Sequence, residues 1–247
     1  MPKLELRNIS HAFADAPDIQ ILKDINLYVD EGEIVSIIGP SGGGKTTVFN
    51  IVAGLLEPTA GEVWLAGEDI TGKSGYVSYM LQKDLLLPFK TVLDNVALPQ
   101  IIKGKSKKEA RTMALPYFRE FGLDGTEYKY PQMLSGGMKQ RAALLRTYLF
   151  EKEMALLDEP FSALDAITKE GIHSWYLDIM KKINLTTLFI THDIEEAILL
   201  SDRIYILKGR PAEISESILI DLSRPRDPLS EEVIQMKRKL KAEYLSI

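Results

Sequence analysis

Nine consecutive residues, Gly39-Pro40-Ser41-Gly42-Gly43-Gly44-Lys45-Thr46-Thr47, carry the most specific chemistry in this chain. They fit the pattern G-x-x-x-x-G-K-[ST]. An apolar run, Ile34-Val35-Ser36-Ile37-Ile38, precedes them and reads as a buried parallel strand. Residues 48–54 follow as a helix closed by Gly54. Strand, glycine loop, Lys-Thr and helix in that order make a cradle for a polyphosphate, where the pattern alone could be a glycine-rich turn. Gly42, Gly43 and Gly44 offer no side chain to block the ligand and can adopt the positive φ angles that turn successive N–H groups inward. The helix beginning near Lys45 adds its N-terminal partial charge, worth roughly 0.3–1 kcal/mol per exposed anionic group. Lys45 is expected to neutralise the β- and γ-phosphates of a nucleoside triphosphate, Thr46 to give its hydroxyl to Mg²⁺, and Thr47 to reach an inner phosphate.

Three further groups fit the same chemistry. Leu156-Leu157-Asp158-Glu159 sets two carboxylates at the C-terminal end of an apolar strand, where α/β sheets bind ligands. Asp158 is placed to hold the Mg²⁺ shell and Glu159 to accept a proton from the attacking water. His192 ends the next core strand and should arrive on the same edge, able to hold that water and Glu159 in place; His11 and His173 read instead as local capping groups. Ser135-Gly136-Gly137, at the start of a helix, is a second anion-binding terminus with a hydroxyl and two unobstructed backbone N–H groups. One nucleotide needs one cradle, so a second phosphate-facing helix end makes sense if it faces the γ-phosphate held by another subunit.

The elements that must position these groups alternate. Residues 4–9 and 22–29 read as strands, 62–66 as another and 75–80 as one ending just before Gln82. From 83 to 150 the pattern turns helical, with 91–101 and 107–121 at helical spacing and a basic run at 103–108 that reads as a solvated loop and helix start. Strands at 154–157, 186–190 and 203–207 alternate with helices at 167–182 and 195–200, implying a mainly parallel sheet covered on both faces. The leading strands and the Trp64 segment suggest an antiparallel layer at one side. A charged tail from about Pro225 ends in an amphipathic helix over 231–244. The chain has 247 residues, 45 % of them hydrophobic, a net charge of −5 and no cysteine. That excludes disulfides, thiolate metal sites and a cysteine nucleophile, and argues against nucleic acid as the main partner. No stretch approaches a membrane span and no signal-peptide core is visible, so a soluble, intracellular chain is expected.

Taken together, the phosphate loop, Gln82, the run Leu134-Ser135-Gly136-Gly137-Met138-Lys139-Gln140-Arg141, the run from Leu156 to Pro160, Ser162-Ala163-Leu164-Asp165 and His192 resemble the ATP-binding cassette (ABC) ATPases in order and spacing. The resemblance covers about residues 3–222. It implies a P-loop NTPase (RecA-like) α/β core, an antiparallel β subdomain and an α-helical subdomain inserted at about 83–150, so that 1–225 form the ATPase domain and 226–247 a tail. It implies ATP and Mg²⁺ as ligands, with Gly39 and Ser41 completing the loop, Phe13 stacking on adenine, and Gln82 joining the Mg²⁺ shell while sensing a membrane partner. Ser135, Gly136 and Gly137 would clamp ATP on the opposite protomer of a homodimer, and Asp165 would line the seam. Phe13 stands where tyrosine is usual, Met138 where glutamine is commonest and Gly43 where serine or cysteine is frequent; none removes a backbone donor.

At a finer level the chain resembles the importer ATPases serving nitrate, sulfonate, taurine and thiamine-precursor uptake. These imply integral-membrane permease subunits, an extracytoplasmic solute-binding protein reached only indirectly, and a position on the cytoplasmic face of the cell membrane. A groove around Gln82 and residues 85–89 is the expected permease contact, with the apolar cluster near Leu87 and Phe89 read either as an exposed docking surface or as packing within the helical subdomain. An exporter or lipoprotein-release ATPase is the nearest alternative, and a soluble cassette acting on nucleic acid a more distant one.

Overall fold

The computed structural model describes residues 2–13, 15, 18–162 and 166–245. Two sheets divide the strands. In the smaller one, β1 (Leu4–Ala12) pairs antiparallel with β2 (Gln20–Val29) on one edge and with β4 (Ala60–Leu65) on the other, and β4 pairs with the short β5 (Glu68–Asp69). Strict alternation along β1 would bury Leu4, Leu6 and then Asn8. Instead Asn8 takes a left-handed φ of 52° and the register shifts after Leu6. The bulge puts Ile9 and His11 on the buried face and leaves Asn8 outside.

The larger sheet has the order β10-β9-β3-β8-β7-β6. Its members are β3 (Ile34–Ile38), β6 (Ser78–Met80), β7 (Met154–Asp158), β8 (Thr186–Thr191), β9 (Arg203–Lys208) and β10 (Glu213–Leu219). All neighbours run parallel except β9 and β10. Every residue of β3, β7 and β8 is buried, as expected for strands covered on both faces. The helices are α1 (Lys45–Val52), α2 (Val92–Val96), α3 (Leu98–Ile102), α4 (Lys107–Glu120), α5 (Gly136–Tyr148), α6 (Ala166–Ile183), α7 (Ile194–Leu200) and α8 (Glu231–Leu245). Among the described residues no helix is long and apolar enough to cross a membrane.

Three apolar clusters hold these layers. The phosphate-loop helix α1 packs Val48, Phe49 and Val52 against the antiparallel sheet. The helices α2 to α6 close over β6 and β7 with Phe118, Phe121, Leu145 and Tyr176. On the other flank Ala197 and Ile198 of α7 meet Ile204 and Ile206 of β9 and Val233 and Leu240 of α8. This is the α/β P-loop NTPase fold with an antiparallel sheet beside the parallel one.

Several expectations change. Residues 75–77 bend before β6 begins at Ser78, and the helical stretch at 91–101 is broken into α2 and α3. Pro99 lacks the N–H that a continuous helix would need. β10 was not anticipated: Glu-Ile-Ser-Glu-Ser-Ile-Leu alternates outside and inside as an edge strand should, but its charge masks the pattern. The basic run at 103–108 behaves as a loop and helix start, with Ser106 and Glu109 forming a reciprocal capping box for α4. His11 caps nothing. It is buried in β1, edge-on to Phe13, with no hydrogen-bond partner for either ring nitrogen. His173 lies inside α6 rather than at its end, against the ring of Phe161.

Candidate functional site

Strand order decides what meets the phosphate loop. The loop leaves β3, the neighbouring β8 delivers His192, the next strand β7 delivers Asp158 and Glu159, and β6 delivers Gln82. All four arrive at carboxyl ends of parallel strands, the edge where such sheets bind ligands.

The loop itself is formed by steric necessity. A Cβ on Gly39 would meet the Leu207 carbonyl oxygen at 2.4 Å, so the chain can pass β9 only as glycine. Gly42 and Gly44 take left-handed φ values of 72° and 86°. Gly43 does not, contrary to the expectation for all three glycines. Its need is for space, because a Cβ would lie 2.9 Å from the Pro40 carbonyl, to which its own N–H donates at 3.0 Å. Among the described residues, the N–H groups of Gly42 and Gly44 donate to no backbone carbonyl, and the first-turn N–H groups of α1 have no helical partner. Gly44 caps α1 without a side-chain hydrogen bond and no acidic residue occupies the first turn. The result is an array of unused donors around one point, fitted to phosphate oxygens.

Lys45 is buried and donates to the carbonyls of Gly39 and Pro40, both at 2.8 Å. Burial lowers its ammonium below the usual lysine range, with Glu159 and Asp158 acting in the other direction. Thr46 Oγ1 lies 3.4 Å from Asp158 Oδ2. Burial first, and then repulsion from Glu159, push the Asp158 carboxyl up, against the Thr46 hydroxyl and Lys45. A hydroxyl beside a desolvated carboxylate suits a small hard cation that completes its shell with phosphate oxygens and water. Among the described residues no cluster of three or more acidic, histidine or cysteine side chains exists that could hold a metal unaided. The hydroxyls of Ser41 and Thr47 bond no other described residue.

Glu159 gathers the rest. Gln82 Nε2 donates to its Oε2 at 3.0 Å, and His192 Nδ1 lies 3.2 Å from the same oxygen. Gln82 therefore meets Glu159 rather than the Thr46–Asp158 pair. The Glu159 backbone has a left-handed φ of 46°, unusual for a side-chain-bearing residue and a strain of the kind found at functional positions. Its N–H donates to Ile190 O at 3.0 Å and its carbonyl accepts from Ser162 Oγ at 3.0 Å, which hold the kink against β8. Phe13, exposed at the end of β1, reaches this region through its strand: His11 pairs with Leu22, and the Leu22 side chain would touch a Cβ on Gly44.

The second glycine-rich helix end is not joined to this cluster. Ser135 caps α5 by accepting from Met138 N at 3.3 Å. Gly136 is exposed but Gly137 is buried, so the two amides are not equally open. Among the described residues no hydrogen bond links 135–137 to the phosphate loop. Asp165 lies outside the described residues. Leu87, read as either exposed or packed, is half-buried; the open apolar side chains are Leu81, Leu85 and Phe89, the last 73 % exposed.

Two positioning residues escaped the sequence reading. Asn95, fully buried in α2, accepts from Leu87 N and donates to Leu87, Lys90 and Thr91 carbonyls, fastening the loop after Gln82. Arg146 of α5 donates to the carbonyls of Asp84 and Leu85 from the other side. The available signal for Asn95 was an amide inside an otherwise apolar helical run.

These features define a P-loop nucleoside triphosphatase. Residues 22–162 match the family model described as ABC transporter. The chain is 42 % identical to the formylaminopyrimidine import ATP-binding protein ThiZ of Halalkalibacterium halodurans, over 96 % of this chain and 93 % of that protein. It is 40 % identical to the aliphatic sulfonates import ATP-binding protein SsuB of Bacillus thuringiensis, over 92 % and 89 %. A solved ATP-binding cassette, dimeric and bound to ADP and phosphate after hydrolysis, superposes with a TM-score of 0.75 at 31 % identity, covering 89 % of this chain and all of that one. The chain belongs to the ABC transporter family and is an ATP-binding ATPase of that family.

Proposed function

We propose that this chain is the ATP-hydrolysing subunit of a membrane importer, working as a homodimer on the cytoplasmic face of the cell membrane. Residues 1–225 form the ATPase domain with the inserted helical subdomain at about 83–150, and 226–247 the tail. The observation that carries the reading is an imbalance within one chain: a phosphate loop with its carboxylates and histidine assembled around it, and a second glycine-rich helix end that, among the described residues, shares no hydrogen bond with them. A facing copy supplies what each copy lacks. The dimeric cassette among the similar structures supports that arrangement.

ATP stacks its adenine on Phe13 and lays its phosphates along Gly39, Ser41, Gly42, Gly43 and Gly44. Lys45 exchanges its loop carbonyls for the outer phosphates, and Thr47 reaches an inner phosphate. Thr46, Asp158 and Gln82 would hold Mg²⁺, which neutralises charge on the phosphate oxygens. Glu159 accepts a proton from the attacking water while His192 fixes the carboxylate and faces the γ-phosphate. Ser135, Gly136 and Gly137 of one copy close over the nucleotide of the other, and Asp165 lines the seam. The Gln82 loop, with Leu81, Leu85 and Phe89 exposed beside it, docks an integral-membrane permease, whose extracytoplasmic solute-binding protein this chain never touches. The relatives named for formylaminopyrimidine and sulfonate import support a solute in the nitrate, sulfonate, taurine and thiamine-precursor group.

Glu159→Gln tests the core of this reading. It should bind ATP with parental affinity, hydrolyse it at least ~100-fold more slowly and accumulate as an ATP-bound dimer in size-exclusion chromatography. Near-parental turnover would remove Glu159 as the base. Stimulation of ATPase activity by one solute, in vesicles holding the permeases and binding protein, identifies the cargo.

A further inference from the structure

Two arginines outside every motif described above, Arg224 and Arg226, close on α7, the helix that follows His192. Arg226 donates to four backbone carbonyls with one guanidinium: Ile198 and Ser201 at 2.5 Å, Leu222 at 2.9 Å and Ile220 at 3.3 Å. Arg224 donates to Leu200 O at 2.5 Å and pairs with Asp202 at 2.9 Å. The last carbonyls of a helix have no internal partner, and here the two side chains take Ile198, Leu200 and the C-cap Ser201. Asp202 in turn accepts from Ile34 N at 2.9 Å, at the start of the strand that leads to the phosphate loop.

The other end of α7 is tied to His192. Asp193 caps the helix by accepting from Glu195 N and Glu196 N. Thr191 Oγ1 accepts from Asp193 N and donates to Glu196 Oε2, both at 3.0 Å. The histidine is therefore bracketed on both sides by groups bonded to the first turn of a seven-residue helix, short enough to move as one piece. One flank of α7 packs on α8, where Lys237 also pairs with Glu195. Its other flank borders a cavity of about 1120 Å³ between α6 and the segment 220–228, lined among others by Leu177, Lys181, Glu196, Leu199, Arg224 and Arg226. Just past α7, Asp202 N donates to Ile34 O, and the arginine pair adds the side-chain bonds that tie the C-terminal end of α7 to the segment beyond β10.

We propose that Arg226, assisted by Arg224, is a positioning residue for His192: it clamps the far end of α7 and so sets where the histidine meets Glu159. This rests on the role given to His192 above. A planar fork that meets four carbonyls from two segments cannot be reproduced by an ammonium, so lysine is expected to rescue only in part.

The test is steady-state ATP turnover of the full chain, in the parental and His192→Ala backgrounds. Arg226→Ala should lower kcat ~10-fold with KM for ATP within ~2-fold, and Arg226→Lys should recover part of the loss. In the His192→Ala background the same substitution should change kcat by less than ~2-fold, because both act through one group. A parental kcat for Arg226→Ala beside an impaired His192→Ala overturns the clamp alone, as does an equal kcat loss in both backgrounds. A parental rate for His192→Ala overturns the histidine's role and the clamp with it. Should Arg226→Ala fail to fold, Arg224→Ala and Arg226→Lys carry the comparison with a ~3-fold expected loss in kcat, and parental values for both overturn the proposal.

Discussion

Two helix N-termini in this chain are built from the same small residues and finished in opposite ways. At α1 the cap is a glycine with left-handed backbone and no side-chain bond, and a lysine, a threonine and two carboxylates stand around the open amides. At α5 the cap is Ser135, whose hydroxyl is already engaged with Met138 N, and no hydrogen bond from it reaches the other site. Neither helix has an acidic residue in its first turn, where one would be favoured, so both leave their partial positive charge to an outside anion. The first end is a complete cradle. The second has no such groups bonded around it, and the contrast is the physical ground for proposing that two copies share each nucleotide.

The largest expected effect breaks that contrast directly. Lys45→Ala removes the cation proposed for the outer phosphates, and Gly136→Asp places a carboxylate where the second helix end should meet phosphate. Each variant alone should lose ATP turnover by ~100-fold or more. Mixed together, they should regain a measurable fraction of parental activity, because the heterodimer holds one site in which both halves are intact. Absence of recovery in mixtures that demonstrably form heterodimers would mean that each chain works on its own nucleotide.

A smaller effect concerns the carboxylates on the cradle side. Burial raises Asp158, so the folded state favours its protonated form more than the unfolded chain does. That contribution to stability is fully present below the unfolded value and disappears as pH rises through the raised folded value. At neutral pH the nucleotide-free protein therefore holds a costly buried charge. Asp158→Asn should raise the melting temperature without nucleotide by ~2–4 °C near pH 7, corresponding to about 1 kcal/mol in a chain of this size. The gain should shrink as the solution is acidified, and stabilisation by Mg²⁺ with ATP should fall. A variant melting lower than the parent at pH 7 would contradict the assignment of burial as the dominant cause.

The smallest effect separates two adjacent glycines. Gly42 has open space around an added Cβ but a left-handed φ, so Gly42→Ala should cost about 1 kcal/mol in urea denaturation. Gly43 has an ordinary φ but no room beside Pro40, so Gly43→Ala should displace the turn and weaken ATP binding more than it weakens the fold. Equal losses of stability and affinity for both would mean that the loop tolerates neither for a common reason.

Much of the architecture was legible because it rests on local signals. The phosphate loop was visible as glycines between an apolar strand and a helix, and the three fully buried parallel strands as short, largely apolar runs. β10 was hidden because an edge strand with a solvated face carries glutamates where a core strand carries valines. The single buried turn of helix around Asn95 and the guanidinium clamps of Arg146, Arg224 and Arg226 were hidden for another reason. Their partners are mostly backbone groups, some local and some far along the chain, and a backbone group has no letter in a sequence. Leu87 illustrates the same limit: its apolar neighbours were equally apolar on paper, and only the Asn95 bonds turned it partly inward while Phe89 stayed out.

By itself the sequence determined which chemistry is present: a polyphosphate cradle, two carboxylates at a strand end and a strand-end histidine, each made by residue types whose local conformation is set by their neighbours. Tertiary structure alone decided that Gln82 and His192 converge on one oxygen of Glu159, that Gly43 is needed for room rather than for its φ, and that α7 is held at its far end by arginines from beyond β10. The reason is strand order. Parallel neighbours β3, β8, β7 and β6 come from four separate stretches of chain, and only their pairing sets the distances between the groups they carry.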